Sequence, residues 1–171
     1  ESGGVELAAV RRDQEHSLEI ELPFLQVTQP NGFWLVPLMM VDQSASMARL
    51  LSAALLKLIQ SFPPKENALL LASSDLSHFY SERAANRLDG NLADALQEFD
   101  LNAFYQRKQH GEMEACGFAP MATVLQTSRL LGAEQVTVAD YRTSAAVTGD
   151  RSSVVGYLSA IISTGKADLY A

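Results

Sequence analysis

The chain has 171 residues, a formal net charge of −7 and 47% hydrophobic against 19% charged residues. That is the length and composition of one folded domain rather than of a disordered segment. The acidic balance excludes a nucleic-acid partner, because phosphate contacts need a basic face and Arg11-Arg12 and Arg107-Lys108 are too short to make one. The longest apolar run, Phe33 to Val41, falls far short of the roughly 20 residues of a membrane span, so no membrane is expected. The single cysteine, Cys116, cannot pair within the chain, which points to a reducing, cytoplasmic compartment.

In chain order, the opening Glu1-Ser2-Gly3-Gly4 is polar and carries no initiator Met, the look of a fragment or processed product. Val5 to Val10 reads as a short strand or a fraying end. Asp13 to Gln26 reads as a short helix, with Pro23 a costly residue inside it or near its end. Gly32 opens a strand over Phe33 to Met39, placed at an edge or bulged by Pro37. Ser44 is the expected N-cap of a long helix over Ala45 to Phe62, whose apolar residues recur at spacings of three and four. Pro63-Pro64 stops it.

Asn67 to Ala72 reads as a buried strand. Ser81 to Phe99 is helical with a break near Gly90, and Asn102 to Gln109 is a second short helix. Gly117 to Leu131 is a helix with Pro120 in its first turn and Gly132 as its stop. Val136 to Tyr141 and Ser152 to Ile162 close the chain as strands. Strands alternating with helices predict an α/β layered sheet.

Three places carry residue types suited to chemistry. The first is Ser73-Ser74-Asp75-Leu76-Ser77-His78, directly after the predicted buried strand. Ligands of open α/β sheets bind beyond the carboxyl ends of strands. There Asp75 can accept the Nδ1–H of His78 and leave Nε2 free as a base. The competing reading makes Asp75 a helix cap with His78 on the first turn.

The second place is Glu15-His16-Ser17-Leu18-Glu19, where His16 and Glu19 share a helix face. A carboxylate beside an imidazole makes it more basic, or Glu19 simply supports the helix start. The third is Cys116-Gly117 before a helix N-terminus, which suits a nucleophile or soft-metal ligand. A small buried hydrophobe is the other fate of such a cysteine. His110 reads as a solvated helix end, and Asp42, Asp140 and Asp150 as caps and turns.

The order Glu15-His16-Ser17-Leu18-Glu19 with Leu22-Pro23-Phe24, then Ser73 to His78, then Cys116-Gly117 with Pro120, then Ser152-Ser153-Val154-Val155-Gly156-Tyr157, resembles the Memo family, known in bacteria and archaea as AmmeMemoRadiSam system protein B. That family is similar to the class III extradiol dioxygenases, which open catechol rings at a non-haem Fe(II). The resemblance implies a single domain over 1–171 with a three-layer αβα fold around a mixed central sheet. It also implies a metal pocket of two histidines and a third ligand, with Cys116 as the third metal ligand, His78 as the base with Asp75 beside it, and His16 with Glu19 in the pocket.

The Pro-His-Ala-Gly and Ser-His-His segments that supply the family's metal histidines do not occur in this sequence, so the chain reads as a Memo-like domain lacking the N-terminal half. Tight metal binding by this chain alone is not expected. The resemblance leaves two functions open. One is metal-dependent redox chemistry of dioxygenase type with Fe(II) or copper. The other is a metal-free, catalytically idle protein that binds a peptide or small ligand. A homo-oligomer or the absent N-terminal segment is the expected protein partner, since strands that pair with a missing half leave an open edge.

Overall fold

The computed structural model describes residues 5, 7–11, 14–63 and 67–165. In chain order its elements are α1 (Leu22–Thr28), α2 (Ala45–Gln60), β1 (His78–Tyr80), α3 (Glu82–Glu98), α4 (Leu101–Gln109), α5 (Phe118–Leu130), β2 (Gln135–Thr143), α6 (Ala145–Thr148) and β3 (Val154–Ser163). The α/β class expected from the alternation of patterns is the class observed. Among the described residues the three strands lie in the order β1-β3-β2 and pair antiparallel throughout, so the parallel pairing that would make the sheet mixed is not among them.

β2 and β3 form the long ladder, from Gln135 opposite Ser163 to Thr143 opposite Gly156, with a bulge between Val138 and Asp140. α3 packs on both strands, and α2 packs on α5. One hydrophobic cluster joins them through Leu92, Leu96, Phe104, Phe118, Leu125 and Val136. Its centre is the stacked pair Phe104 and Phe118, with ring centroids 4.4 Å apart and both rings fully enclosed. Aromatic pairs of this kind contribute roughly 0.5–1.5 kcal/mol beyond the area they bury.

Local signals account for several helix ends. Ser44 accepts the Met47 N–H at the start of α2, and Asp100 accepts those of Asn102 and Ala103 at the start of α4. Gly132, at φ +98°, follows α5 as its stop. His110 caps the end of α4, as read. Asp42 accepts the Ser44 N–H and Asp150 the Ser152 N–H, so both carboxylates brace turns.

Other expectations are corrected. The helix predicted from Asp13 begins only at Leu22, because Pro23 takes the first turn, where its missing N–H costs nothing. A turn precedes it over 17–21, and Asp13 itself lies outside the described residues. α3 runs through Gly90 without a break. Burial of Asp89, Leu92, Ala95 and Leu96 holds it, against a glycine penalty of about 1 kcal/mol.

Phe33 to Met39 and Asn67 to Ala72 are irregular, as is the described part of Val5 to Val10. Trp34 is fully exposed and Leu69 is 76% exposed, so neither predicted strand is buried. An apolar run is a local property, whereas a strand requires a neighbour for its N–H and C=O groups. Among the described residues neither segment has one. The short elements β1 and α6 carried no sequence signal of their own.

Candidate functional site

The segment after the irregular Asn67–Ala72 is fixed by the sheet and by one buried carboxylate. Leu76 N–H donates to the Gly156 carbonyl and Gly156 N–H donates to the Ser77 carbonyl, both at 3.0 Å. Asp89, fully buried on α3, accepts the Ser77 N–H at 3.0 Å and the Tyr141 hydroxyl at 2.8 Å. A carboxylate with several donors on it satisfies the burial rule for charge. Burial first, then the hydrogen bond to Asp89 and the charges of Asp89 and Glu82, hold the Tyr141 phenol well above its ordinary value. Helix α3 thereby clamps the backbone on which Asp75 and His78 sit.

His78 opens β1, so it is on neither a helix nor a helix cap. Its imidazole lies between two carboxylates. Nε2 is 3.4 Å from Asp75 Oδ2, and Nδ1 is 3.9 Å from Glu114 Oε1. The expected pairing of Asp75 with Nδ1 is therefore reversed, and Nδ1 faces Glu114 instead. The His78 side chain is 27% exposed, against 47% for Asp75 and 41% for Glu114. Tyr80, two residues on, donates its hydroxyl to Glu114 Oε2 at 2.9 Å. That bond, then the Glu114 charge and burial, raise the Tyr80 phenol above its ordinary value. Burial, and next the Asp75 carboxylate, do the same for Tyr157.

Cys116 is exposed, which removes the reading of a buried hydrophobe. It precedes Gly117, the N-cap of α5, as its position in the sequence suggested. Its sulfur accepts the Asp75 N–H at 3.3 Å and lies 3.6 Å from Ser74 Oγ, while its own N–H donates to the Asp75 carbonyl at 3.2 Å. Gly117 N–H donates to Ser74 Oγ at 2.8 Å. Two segments some forty residues apart are thus laced together, and Asp75 and Cys116 become neighbours.

His16 and Glu19 contact each other, Nδ1 to Oε2 at 3.2 Å, with side chains 82% and 73% exposed. The turn that carries them is tied to the site, since Ser73 Oγ donates to the Ser17 carbonyl at 2.7 Å. No hydrogen bond or ion pair among the described residues joins His16 or Glu19 to Asp75, His78 or Cys116. Glu114 and Tyr80 were missed in the sequence. Glu114 looks like any loop acid there, and only the approach of its loop to β1 gives it a role. An apolar groove of about 470 Å³ runs along Ala68–Ala72 and reaches Ser74 and Leu76, the residues flanking Asp75.

A family model described as Memo-like protein matches residues 5–161. The chain belongs to the Memo-like protein family. It is 36% identical over 148 residues to a MEMO1 family protein of Methanobrevibacter smithii, covering 86% of this chain and 51% of that protein. It is 36% identical over 149 residues to a MEMO1 family protein of Thermotoga maritima, covering 87% and 51%. A MEMO1 family protein of Methanosarcina mazei is 32% identical over 148 residues, covering 86% and 55%. This Memo-like chain therefore spans about half the length of the curated relatives it matches.

Among the described residues no group of three or more His, Cys, Asp and Glu side chains is arranged to hold a metal ion. Cys116 supplies a soft donor, but the two nitrogens of His78 face carboxylates. Among the described residues no helix of this Memo-like chain is long and apolar enough to cross a membrane.

Proposed function

We propose that this Memo-like chain forms part of a small-molecule pocket in which His78 moves a proton to or from a ligand hydroxyl. The observation that carries the reading is the placement of the His78 imidazole between Asp75 and Glu114. Asp75, 3.4 Å from Nε2, favours the tautomer with its proton on that nitrogen. Nδ1 is then an acceptor. Its 3.9 Å separation from Glu114 exceeds a hydrogen bond and leaves the nitrogen available to a hydroxyl. A hydroxyl docked there gives its proton to Nδ1. Tyr80 holds Glu114 by its other oxygen. The proton returns by the same path when the ligand leaves.

The resemblance to extradiol dioxygenases supports a redox role with Fe(II) or copper, and Cys116 beside Asp75 is the residue this chain would bring to it. The second reading is a pocket that recognises a small ligand or peptide without turning it over, and the apolar groove that reaches Ser74 and Leu76 supports it.

The test is visible titration with 4-nitrophenol, whose phenolate is coloured. The bound probe is expected to be more ionised than the free probe at the same pH, and His78→Gln should remove that increase. An unchanged spectrum in H78Q sinks the proton-transfer reading. Oxygen uptake that requires added Fe(II) or copper and disappears in Cys116→Ala would assign the redox role. Binding that survives a chelator, with no oxygen uptake, would assign the second.

A further inference from the structure

A second cleft contains none of Asp75, His78 and Cys116. It has a volume of about 460 Å³ and lies among α3, β2 and α6, with Glu82, Asn86, Asp140, Arg142 and Arg151 in its walls. A bulge builds the β2 wall. Val138 lies opposite Ala160 and Asp140 opposite the adjacent Ser159, so Ala139 is the extra residue. Val136 and Tyr141 both meet the hydrophobic core although they are an odd number of positions apart, which a regular strand would forbid. Past the bulge, Tyr141 and Thr143 turn to α3, where they reach Asp89 and Glu82. Asp140 and Arg142 are left facing out, 58% and 70% exposed. Bulges re-aim side chains in this way and gather beside functional sites.

The hydrogen bonds of the cleft are one-sided. Asp140 Oδ1 accepts the Tyr141 N–H at 3.0 Å, and Oδ2 accepts Arg142 Nε at 2.9 Å. Glu82 Oε1 accepts the Thr143 hydroxyl at 3.1 Å, and Oε2 lies 3.4 Å from Arg151 Nε. All four carboxylate oxygens therefore have a partner. The Glu82 N–H also donates to the Arg151 carbonyl at 2.9 Å, which ties that arginine's backbone to α3. The two guanidinium groups are the opposite case. Each meets its carboxylate through Nε, and among the described residues the terminal nitrogens of both have no partner. The acceptors are taken and the donors are open, so the cleft suits a ligand rich in acceptors.

We propose that this cleft binds a small organic oxyanion, a phosphate monoester or a carboxylate, between the terminal nitrogens of Arg142 and Arg151. A guanidinium fork pairs with either group through two parallel N–H···O bonds. The volume is in the range of small-molecule sites, roughly 300–1,000 Å³, so the ligand carries more than a bare anion. Asp140 and Glu82 hold the arginines by Nε and balance their charge. Recognition is then by the geometry of the forks rather than by net charge. The site is independent of the proton-transfer reading of His78.

The experiment is calorimetric titration with phenyl phosphate and with benzoate, which share a ring and differ in the anion. The proteins are wild type, Arg142→Gln, Arg151→Gln, Arg142→Lys, Arg151→Lys and Lys57→Gln. K57Q makes the same change in net charge on α2, outside the cleft. Both arginines are exposed, so Tm should stay within a few degrees of wild type, and all titrations are run well below it. Wild type should bind at least one probe with millimolar affinity or better. Tighter phenyl phosphate assigns a phosphate monoester, and tighter benzoate a carboxylate. Affinity should fall about fivefold or more in each glutamine and each lysine variant, since lysine keeps the charge and loses the fork, while K57Q stays within about twofold of wild type. No binding of either probe by wild type at about 10 mM overturns the proposal. Wild-type affinity in R142K and R151K overturns it too, as does a loss in K57Q equal to that in R142Q.

Discussion

The Asp89 carboxylate occupies the space that a side chain at position 156 would need. A Cβ built on Gly156 would lie 1.9 Å from Asp89 Oδ2 and 2.7 Å from its Cγ. That approach lets one buried carboxylate reach past β3 to the Ser77 N–H and the Tyr141 hydroxyl together. The glycine is required by contact, and the Asp75–His78 segment inherits its position from it.

Gly156→Ala should therefore destabilise the protein by about 3 kcal/mol, the upper range for overpacking a filled interior. Asp89→Ala should cost about 1–3 kcal/mol, since it leaves the buried Ser77 N–H without an acceptor and takes one of two acceptors from the half-buried Tyr141 hydroxyl, which also reaches Asn86 Oδ1. The double variant should lose at least about 1 kcal/mol less than the sum, because D89A removes the atoms that G156A strikes. Chemical denaturation of the three variants measures this, and simple additivity would mean that the two residues do not share the space.

Gly117 makes a second close approach, this time at the site. Its added Cβ would meet Ser74 Cβ at 2.7 Å and the Ser73 carbonyl at 2.8 Å. Gly117→Ala should push the Cys116 loop away from Ser74 and Asp75, at a cost of about 1–3 kcal/mol. The Cys116 sulfur would lose its contacts with the Asp75 N–H and Ser74 Oγ. Its reaction with a chromogenic disulfide reagent should then speed up several-fold in the folded state. An unchanged rate would show that the lacing does not shield the thiol.

Tyr141 carries a pH dependence of definite sign. Its ordinary value is 10.0, and burial with the Asp89 hydrogen bond raises it in the folded protein. Below pH 10 the phenol is protonated folded and unfolded, so its contribution to stability is fully present. Above pH 10 the unfolded chain releases the proton while the folded one keeps it, and that contribution is lost as pH rises towards the folded value. One proton limits the slope to about 1.4 kcal/mol per pH unit, and solvent screening of the half-buried phenol lowers it further. Denaturation midpoints between pH 8 and 11 should fall less steeply for Tyr141→Phe than for wild type. Equal slopes would remove Tyr141 from the alkaline transition, leaving Tyr80, Tyr105 and Tyr157, whose phenols are raised as well.

Features written into neighbouring residues were legible without coordinates. The spacing of Met47, Leu51, Leu55 and Leu58, with Ser44 ahead of them, marks α2, because periodicity and capping act within a few turns. Pro120 and Gly132 bracket α5 for the same reason. The residues Asp75, His78 and Cys116 were legible as chemistry-bearing types in a family order, and membership of the Memo-like family follows from that order.

What stayed hidden depends on partners distant in the chain. Phe33–Met39 and Asn67–Ala72 have strand composition, yet pairing is decided by neighbours, and no strand pairs with either among the described residues. The nitrogen of His78 that Asp75 faces, and the arrival of Glu114 on the other one, follow from where β1 meets the loop before α5. The clamp of Asp89 on Ser77 spans twelve residues, and the lacing of Ser74 to Gly117 spans forty-three. Contacts at such separations are chosen by the packing of the whole chain, since loop closure costs entropy that only the assembled core repays.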